Sequence, residues 1–493
     1  MKTLRREGDG HQPDVYSDIA EVLWKYPIAS AYRLLFRDLD DKASQNNTEL
    51  KSILKQLVSI FNSNHDYSIY AERSESHLVK LQSSLSRVGH SSAYKDFRIR
   101  LESAATSATA LRSAAYSIRY IPDHHPQSVV YDGKIQIAGR SLDAFSAQSD
   151  YFEATVALIE GSSPQLISLA RQQFARGFIL TNEEHQLVNS ATSNGFEFTD
   201  LVTAILLHEQ ANKGFQTLQR YEYDPDLSEE INTDRSRCAI GEGYYLLGKV
   251  LATTATFTSI LMRTALPWHD GDPIRALLLS AGMKATQRQV RAVRKVALAH
   301  CTHGLNSGEL VARLASSVRT TFPRALIASL NVRSGTLHSG AIKKCMIQVH
   351  DYIESGDPAL EYFRQSTATS NKYYGFGHRI HKTNEADPIE MLGKDPRVDL
   401  YLAATRHGFP EQSELIDRLL GYAAHIRSKR RSLGANTDFG AAVLFSAIGL
   451  SPDAAESFFC AFRCVGLCAD IVNELRVKGN SRRPPFPETL AFW

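Results

Sequence analysis

The stretch Tyr244–Leu266, YYLLGKVLATTATFTSILMRTAL, is the longest apolar segment of the chain. Lys249, Arg263 and several threonines interrupt it, whereas a helix that spans a bilayer carries few or no charges over its apolar length. We therefore predict that this stretch forms a buried helix at the core of the protein and does not cross a membrane.

The rest of the chain from Ser141 onward continues the helical pattern. Its breaks fall at residues 161–164, 267–273 and 356–358 and at Pro396, where glycine and proline end one periodic segment before the next begins. Helices and strands do not alternate, so the predicted fold class is all-α.

One short β-hairpin and an N-terminal helical region complete the predicted architecture. Asp132-Gly133 lies between two apolar runs in SVVYDGKIQI, residues 128–137, which is typical of a hairpin with a two-residue turn. Residues 15–118 repeat apolar side chains at spacings of three and four, which predicts successive helices. They carry no motif that indicates chemistry.

The composition is that of an ordinary globular protein with room for two or three domains. Hydrophobic residues make up 43% and charged residues 22% of the 493 positions, and 56 basic against 53 acidic side chains give a net charge of +3. This balance gives no reason to expect nucleic acid or a membrane as partner. Six cysteines without a CxxC pair, and an N-terminus without an apolar run, favour a soluble protein of the cytoplasm, with mitochondria as an alternative.

Three segments place histidine beside glycine or another turn-forming residue. They are AHCTHGLN at 299–306, GTLHSGA at 335–341 and YGFGHRIHK at 374–382. Glycine lets the backbone approach a ligand closely, and histidine can donate or accept a proton near neutral pH. The region from Gly375 to Pro396 is dense in turn formers, which indicates an ordered loop system that binds a ligand.

Two further segments carry charge next to apolar helices. LGANTDF, residues 433–439, puts Asp438 just before an apolar helix, where it is either the helix N-cap or a catalytic base. Arg463 lies inside the apolar segment around FRC, and a buried arginine needs an anionic partner.

Together these segments resemble, in the same order, the signature segments of citrate synthases. The matches are His303 in HCTHGLN, His338 in GTLHSGA, His378 in GFGHRI, Asp438 in ANTDF and Arg463 in FRCVG. The resemblance extends from about residue 129 to the C-terminus. It implies an acyltransferase that joins the α-carbon of an acyl-CoA to the ketone of a 2-oxo acid such as oxaloacetate, and then hydrolyses the thioester to release CoA.

The resemblance also implies a division of the chain into domains. A large helical domain would comprise residues 126–338 and 444–493, and a smaller helical domain, residues 339–443, would carry the acyl-CoA and catalytic loops. Residues 1–125 would form an additional helical extension of unknown role.

The resemblance further assigns roles to individual residues. Asp438 would take the α-proton, His338 would hydrogen-bond the thioester oxygen, and His378 would polarise the carbonyl of the 2-oxo acid. The carboxylates of this acceptor would be held by His303, Arg397, Arg463 and, from the second subunit of a homodimer, Arg483. The CoA adenine would lie against Tyr374, Gly375, Phe376 and Gly377. Acyl-CoA would be a co-substrate, with no permanently bound cofactor and no metal.

The chain departs from the family pattern after His378. Where the family has Asp-Pro-Arg, this chain has Asp387-Pro388-Ile389, and Asp395-Pro396-Arg397 follows only later. Either a loop insertion precedes a retained Arg397, or the acceptor-binding arginine is lost there, or Arg379 replaces it. The acceptor is therefore open. The acyl group is open as well, since a chain longer than acetyl would fit if the pocket near Phe439 and Gly440 were wider. A 2-methylcitrate or alkylcitrate synthase is the alternative to a citrate synthase.

Two rival functions come from other classes. The HxxH spacings of His300 with His303 and of His378 with His381 suggest a metal hydrolase, although zinc helices usually place their ligands at i and i+4. A non-catalytic acyl-CoA-binding homologue would keep the fold but would have no use for a base at Asp438. Three cysteines spaced by four residues, at 460, 464 and 468, are expected to be small buried residues that pack against a neighbouring helix.

Overall fold

The structure is a computed structural model that describes residues 128–131, 134–159, 163–224, 226–265, 271–303, 306–335, 340–355, 373–378, 381–388 and 390–476. All of them fall within one of the two units of the chain, residues 118–482. Helices dominate these residues, so the predicted all-α class is confirmed. The helices predicted for residues 15–118 lie outside the described residues, and the division into a large and a small domain stays a prediction.

The elements are numbered along the described part of the chain. The strands are β1 (Ser128–Tyr131), β2 (Lys134–Ile137) and β3 (Arg140–Ser141). The helices are α1 (Leu142–Ser146), α2 (Tyr151–Val156), α3 (Pro164–Gly177), α4 (Asn182–Ser193), α5 (Phe198–Lys213), α6 (Glu229–Met262), α7 (Pro273–Ser280), α8 (Gln287–His300), α9 (Ser307–Ser317), α10 (Phe322–Arg333), α11 (Gly340–Ser355), α12 (Pro396–Gly408), α13 (Ser413–Lys429), α14 (Thr437–Ile448) and α15 (Pro452–Leu475). Short 3₁₀ turns occur at Leu218–Tyr221 and Pro410–Gln412.

The predicted hairpin is present and continues into a third strand. Strands β1 and β2 are antiparallel, and Tyr131 pairs with Lys134, which leaves the two residues of the predicted turn between them; the turn residues themselves lie outside the described part. Strand β3 was not predicted. It follows β2 through Ala138 and Gly139, whose φ angles are +49° and +72°. Two successive positive φ angles are typical of the tightest hairpin turns, but alanine at the first position does not signal one.

Four of the described helices begin in the same way. A serine or aspartate caps the helix, and proline follows it at the first helical position. The cap side chain accepts a hydrogen bond from a free N–H of the first turn, and proline at the first helical position has no N–H that needs a partner. The pairs are Ser163-Pro164, Asp272-Pro273, Asp395-Pro396 and Ser451-Pro452. Three of them coincide with breaks predicted from the sequence.

Helix α6 contains most of the apolar stretch Tyr244–Leu266 and is buried as predicted. By length and composition it could cross a membrane, but 83% of its most apolar window is buried inside the protein, as in a core helix. The interrupting Lys249 is also buried, and its Nζ lies 2.6 Å from Glu184 and 3.1 Å from Glu209. Two carboxylates therefore compensate a charge that would otherwise be costly to bury.

Helix α15 packs against α6 and is buried over nearly its whole length. Its polar side chains consequently need partners inside the protein, and Asp470 accepts a hydrogen bond from Arg313 Nε at 2.7 Å. The three cysteines spaced by four residues are buried free thiols on this helix. A Cβ added to Gly243 of α6 would lie 3.7 Å from the Cβ of Cys468, which agrees with the predicted packing role.

Helices α3 and α6 cross at two glycines. A Cβ added to Gly248 would lie 2.4 Å from the carbonyl oxygen of Phe174, and one added to Gly177 would lie 1.9 Å from the carbonyl oxygen of Tyr245. Both distances are far below a van der Waals contact and both neighbours are backbone atoms. The crossing therefore depends on the absence of side chains at these two positions.

We expect Gly248→Ala to destabilise the protein by about 1–3 kcal/mol, because the added methyl group forces two helix backbones apart. Gly241→Ala on the same helix is the matched control. A Cβ there would make only ordinary contacts with side chains, those of Gln173 at 3.5 Å and Leu169 at 3.9 Å, so the higher helix propensity of alanine should stabilise the protein by up to about 1 kcal/mol. Urea unfolding of both variants measures the difference, and equal stabilities would contradict the packing described.

Candidate active site

Most of the residues assigned from the sequence lie in the described part of the structure. His303, His378, Asp438, Arg397 and Arg463 are described, and so is the loop of residues 373–378, called here the glycine loop. His338 and Arg483 lie outside the described residues, and their roles stay predictions.

The glycine loop runs antiparallel to the segment that leads into helix α14. Phe376 forms an isolated β-bridge with Ala435. The N–H of Gly377 donates to the carbonyl of Gly434 at 2.7 Å, and the N–H of Asn436 donates to the carbonyl of Gly375 at 2.9 Å. These backbone bonds hold the YGFGHRIHK segment beside the LGANTDF segment, although the two are far apart in sequence.

Gly375 is required for this arrangement. Its φ of +85° lies in the left-handed region, and a Cβ would come within 2.6 Å of the sulfur of Cys345 and 3.0 Å of the Cβ of Phe439. Glycine alone meets both the conformational and the spatial condition without strain. The first glycine of the motif therefore fixes the path of the chain toward His378.

The N-cap of helix α14 is Asn436, so the alternative that Asp438 is the cap is wrong. The Asn436 side-chain oxygen accepts a hydrogen bond from the N–H of Asp438 at 2.9 Å, and its amide nitrogen donates to the carbonyl of Gly377 at 2.7 Å. Asp438 is the second residue of the helix. Because Asn436 already caps the helix, the Asp438 carboxylate is not needed as the cap and can act as a base.

Asp438 has the ionisation behaviour of a base that works near neutral pH. Burial raises the pKa of its carboxyl group to about 7, although the guanidinium groups of Arg397, Arg333 and Arg463 oppose this rise. Within the described part of the chain, its carboxylate accepts no hydrogen bond. A carboxylate in such surroundings is more basic than one in water, which proton abstraction from carbon requires.

The imidazole rings of His303, His378 and His381 lie close together. The ring centroids of His303 and His378 are 5.4 Å apart, those of His303 and His381 5.3 Å, and those of His378 and His381 4.8 Å. The two histidine segments AHCTHGLN and YGFGHRIHK are therefore brought together, as expected. The participation of His381 was not predicted beyond its HxxH spacing.

His378 is a neutral hydrogen-bond donor. Burial, together with the nearby Arg397 and His381, lowers the pKa of its ring to about 3, although Asp395 opposes this. Its Nδ1 accepts the backbone N–H of His381 at 3.0 Å. A neutral imidazole carries one proton, so the proton of His378 resides on Nε2.

Arg397 lies directly beside His378, held by an ion pair with Asp395. Its Nε and Nη2 donate to the two carboxylate oxygens of Asp395 at 2.9 and 2.6 Å, and both residues are buried. This arginine lowers the pKa of Asp395 well below its usual range, against the effect of burial. The position of Arg397 agrees with a loop insertion that precedes a retained arginine.

Arg397 and His378 together form a site for an oxygen atom. Arg397 Nη2 lies 3.4 Å from His378 Nε2, and both nitrogens carry protons, so neither can accept from the other. Two donors at this separation are satisfied together by one acceptor oxygen between them. The pair can therefore polarise a carbonyl group or bind a developing alkoxide.

Glu309 is the anionic partner that the sequence predicts for the buried Arg463. Arg463 Nη1 donates to Glu309 Oε1 at 3.0 Å, and the same oxygen accepts the backbone N–H of His303 at 3.1 Å. Arg463 is buried, and its Nε makes no hydrogen bond within the described residues. Glu309 thereby joins two of the predicted acceptor-binding residues and leaves Arg463 with a donor for a ligand.

Gly466 allows the AHCTHGLN segment to pack against helix α15, which carries Arg463. A Cβ at this position of helix α15 would lie 2.0 Å from the carbonyl oxygen of Cys301. The AHCTHGLN segment therefore lies directly against the helix that carries Arg463. The glycine in FRCVG is a packing residue, in the same way as the glycines at the crossing of α3 and α6.

Several residues of the site were not assigned from the sequence. Arg333, at the end of α10, is buried next to Arg463, and burial followed by that neighbouring charge lowers the pKa of Arg333 to about 10, so that it remains a cation at neutral pH. Asp395, Glu309 and His381 make the contacts described above. The only sequence signal of Asp395 and Glu309 was proximity to a motif, since Asp395 is two residues from Arg397 and Glu309 follows AHCTHGLN; His381 was marked only by its HxxH spacing.

The HxxH pairs do not have the surroundings of a metal site. His300 is directed to Tyr401, whose hydroxyl lies 3.2 Å from its Nδ1, and its ring packs on Phe459. At His378 the adjacent guanidinium of Arg397 would repel a cation. The one cluster of possible metal ligands in the described residues is Glu184, His208 and Glu209, and its two carboxylates already bind the ammonium group of Lys249.

The sequence matches a known protein family and several of its members. The model of the family "Citrate synthase, C-terminal domain" matches residues 108–485, which begins before the expected start near residue 129. The citrate/2-methylcitrate synthase of Bacillus subtilis is 24% identical over 351 residues, which is 69% of this chain and 86% of that protein. The putative citrate synthase 2 of Mycobacterium bovis is 26% identical over 200 residues, or 40% of this chain; the chain thus spans about half the length of this mycobacterial relative.

Solved citrate synthase structures share the fold. The enzyme of Thermoplasma acidophilum, in a ternary complex with carboxymethyl coenzyme A and oxaloacetate, superposes with a TM-score of 0.56 at 16% identity, covering 75% of this chain and 93% of that one. The Thermotoga maritima enzyme gives 0.53 at 17% identity, covering 72% and 87%. The structural likeness shows the fold, and the family match covers well over half of the sequence. The chain therefore belongs to the citrate synthase family.

Proposed function

We propose that this protein catalyses a citrate synthase-type condensation of an acyl-CoA with a 2-oxo acid. The observation that carries the proposal is the convergence of three groups: a carboxyl group with a pKa near 7 at Asp438, and the two donors of His378 and Arg397 that face one another. A carbon–carbon bond-forming step of this kind needs a base for the carbon acid and donors for the carbonyl that is attacked.

The proposed reaction uses these groups together with His338, whose role rests on the resemblance to citrate synthases. Asp438 removes an α-proton from the acyl-CoA, and the electron pair shifts to the thioester oxygen, where His338 donates a hydrogen bond. The resulting enol carbon attacks the ketone of the 2-oxo acid, and the new alkoxide oxygen lies between His378 Nε2–H and Arg397 Nη2–H. Water finally cleaves the thioester and releases CoA as the free thiol.

The carboxylates of the acceptor would be bound by His303, Arg397 and Arg463, and by Arg483 of the second subunit in a homodimer. Guanidinium groups bind carboxylates through pairs of parallel hydrogen bonds. The buried Arg463 keeps an Nε without a hydrogen-bond partner among the described residues, which supports this role. The homodimer is proposed from family membership.

Acyl-CoA would act as a co-substrate, with no permanently bound cofactor, and its adenine would lie against the glycine loop. Tyr374 in this loop is fixed by Gln348, which accepts its backbone N–H at 2.9 Å, and by Lys344, whose Nζ lies 3.3 Å from its hydroxyl. The lysine adds a positive charge suited to a CoA phosphate. All six cysteines are free thiols, which supports a reducing compartment such as the cytoplasm.

Acetyl-CoA and oxaloacetate are the proposed substrates, and propionyl-CoA is the alternative donor. The Bacillus subtilis relative is described as a citrate/2-methylcitrate synthase. The space near Phe439 and Gly440 favours a short acyl group, because Phe439 is fully buried and a Cβ on Gly440 would already lie 3.2 Å from the ring of Tyr401. Thiol release measured over a grid of acyl-CoAs and 2-oxo acids tests the proposal and identifies the pair.

We expect Asp438→Ala to abolish acyl-CoA-dependent thiol release, because loss of a positioned general base slows a reaction by about 10²–10⁴-fold. The unfolding midpoint should not fall, since Asn436 and not Asp438 caps the helix. Asp200→Ala, which removes an exposed carboxylate from the first turn of α5, is the control and should retain full activity. Turnover of Asp438→Ala near that of the wild type would remove the mechanism.

The rate should fall as the pH is lowered through about 7. Burial raises the pKa of Asp438 to about 7, and the protonated form below that pH cannot accept the α-proton. The acid limb of kcat/KM for the acyl-CoA, measured between pH 5.5 and pH 8.5, reports ionisation of the enzyme before acyl-CoA binds and should therefore have its midpoint near this value. A flat profile down to pH 5.5 would show that Asp438 is not the group that titrates.

We expect Asp395→Asn to destabilise the protein by about 3–5 kcal/mol, because it leaves the buried Arg397 without its counter-charge. Asparagine is an equally good N-cap, so the change isolates the charge. Asp399→Asn, an exposed position on the same helix, should change stability by no more than about 0.5 kcal/mol. Denaturant unfolding compares the two, and the KM for the acceptor should rise only in Asp395→Asn.

A further inference from the structure

The proposed condensation does not use His381, although this residue is buried within the site. Its side chain is 5% exposed, and its Nε2 lies 3.1 Å from Nε2 of His303. The sequence singled it out only through the HxxH spacing, and the metal interpretation of that spacing does not fit the adjacent arginine. In a hydrogen bond between two ring nitrogens, one ring donates its proton and the other accepts it. The protonation of one ring therefore depends on that of the other.

The hydrogen bond between the rings has two possible directions. Burial and the surrounding Arg397, His378, His381 and Arg463 lower the pKa of His303 well below its usual value, so its ring is neutral and carries one proton. If His303 donates through Nε2, its Nδ1 is a bare acceptor. If His381 donates instead, the proton of His303 resides on Nδ1.

The surroundings of His303 distinguish between these two directions. Its Nδ1 makes no hydrogen bond with any described residue, so this nitrogen is left for a ligand. Arg397 and Arg463 are close enough to influence its protonation, and two guanidinium groups favour an anionic ligand. A carboxylate would be repelled by a bare lone pair on Nδ1, but it would accept a hydrogen bond from Nδ1–H.

We propose that His381 is a positioning residue whose Nε2–H donates to His303 and thereby fixes His303 in the tautomer that can bind a carboxylate of the 2-oxo acid. The identity of the ligand rests on the proposed function. The direction of the hydrogen bond rests only on the anionic ligand that Arg397 and Arg463 favour beside His303, whatever the identity of that anion.

His381 fixes both neighbouring histidines, through different atoms. Its backbone N–H is bonded to Nδ1 of His378 at 3.0 Å, which leaves the His378 proton on Nε2. Its side chain acts on His303. A substitution of the side chain therefore removes the second effect and keeps the first, so that the carbonyl-polarising donor is retained while acceptor binding changes.

The test compares His381→Gln, whose amide can still donate a hydrogen bond, with His381→Met, which has a similar volume and no donor. The first readout is the ¹⁵N chemical shifts of the His303 ring in protein labelled with ¹⁵N-histidine, assigned by their loss in His303→Asn. Wild type and His381→Gln should show the proton on Nδ1, and His381→Met should lose this preference. His407→Gln, at an exposed position on α12, is the control and should leave the His303 signals unchanged.

The second readout is kinetic. Loss of one hydrogen bond to a charged group should raise the KM for the 2-oxo acid by roughly 10- to 100-fold in His381→Met, while the KM for acyl-CoA stays constant. His381→Gln should recover most of the acceptor affinity, which a purely structural role would not require. A wild-type His303 with its proton on Nε2, or an unchanged acceptor KM in His381→Met, would overturn the proposal. The NMR result requires no turnover, so an inactive wild type would reject the proposed reaction and leave the tautomer assignment to be decided by the spectra.

Discussion

The arrangement of the site depends on Asn436. Its backbone N–H bonds to Gly375, its amide nitrogen bonds to Gly377, and its side-chain oxygen caps the helix that carries Asp438. One residue thus connects the loop that leads to His378 with the turn that presents the carboxylate. Because all three bonds are short and involve backbone groups, neither segment can shift without breaking them. The relative position of a donor and a base on distant stretches of chain is thereby fixed before any substrate arrives, which is what electrostatic preorganisation requires.

Two buried ion pairs lie around His303 and His378, and the imidazole rings of both residues are neutral. Asp395 neutralises Arg397 and Glu309 neutralises Arg463, and each ion pair is buried. Burial, and to a smaller extent the nearby guanidinium groups, lowers the pKa of both His303 and His378. Neutral imidazoles donate hydrogen bonds without competing for protons with the base, while burial keeps Asp438 basic. The surroundings of each group therefore decide its role. The histidines are neutral hydrogen-bond donors and Asp438 is the base, although at many other sites histidine and aspartate act alike.

Local patterns in the sequence were sufficient for the helices and for the approximate site, but not for its internal connections. The cap-and-proline pairs, the buried helix around Lys249 and the hairpin all depend on residues within one turn or one strand pair. The contacts of Glu309 with Arg463 and of His303 with His381 join residues 154 and 78 positions apart, and only tertiary packing determines them. Asp438 illustrates the limit: its position before an apolar helix fits a cap as well as a base, and the distinction depends on the side chain of Asn436.

The departure from the family pattern after His378 lies at the end of the site that would hold the 2-oxo acid. The described residues between His378 and Arg397 are held by the rest of the protein, because the fully buried Arg427 donates to the carbonyl of Asn384 at 3.2 Å and Thr383 donates to that of Ser432 at 2.8 Å. The loop returns Arg397 to His378 and also supplies His381. At the opposite end, Phe439 is packed against the glycine loop and leaves little freedom for change. Binding groups that differ in number and direction select among anions more strongly than small differences in apolar volume select among acyl chains. In the proposed reaction, selection of the acceptor would therefore depend on this loop and its charged groups more than on the acyl pocket.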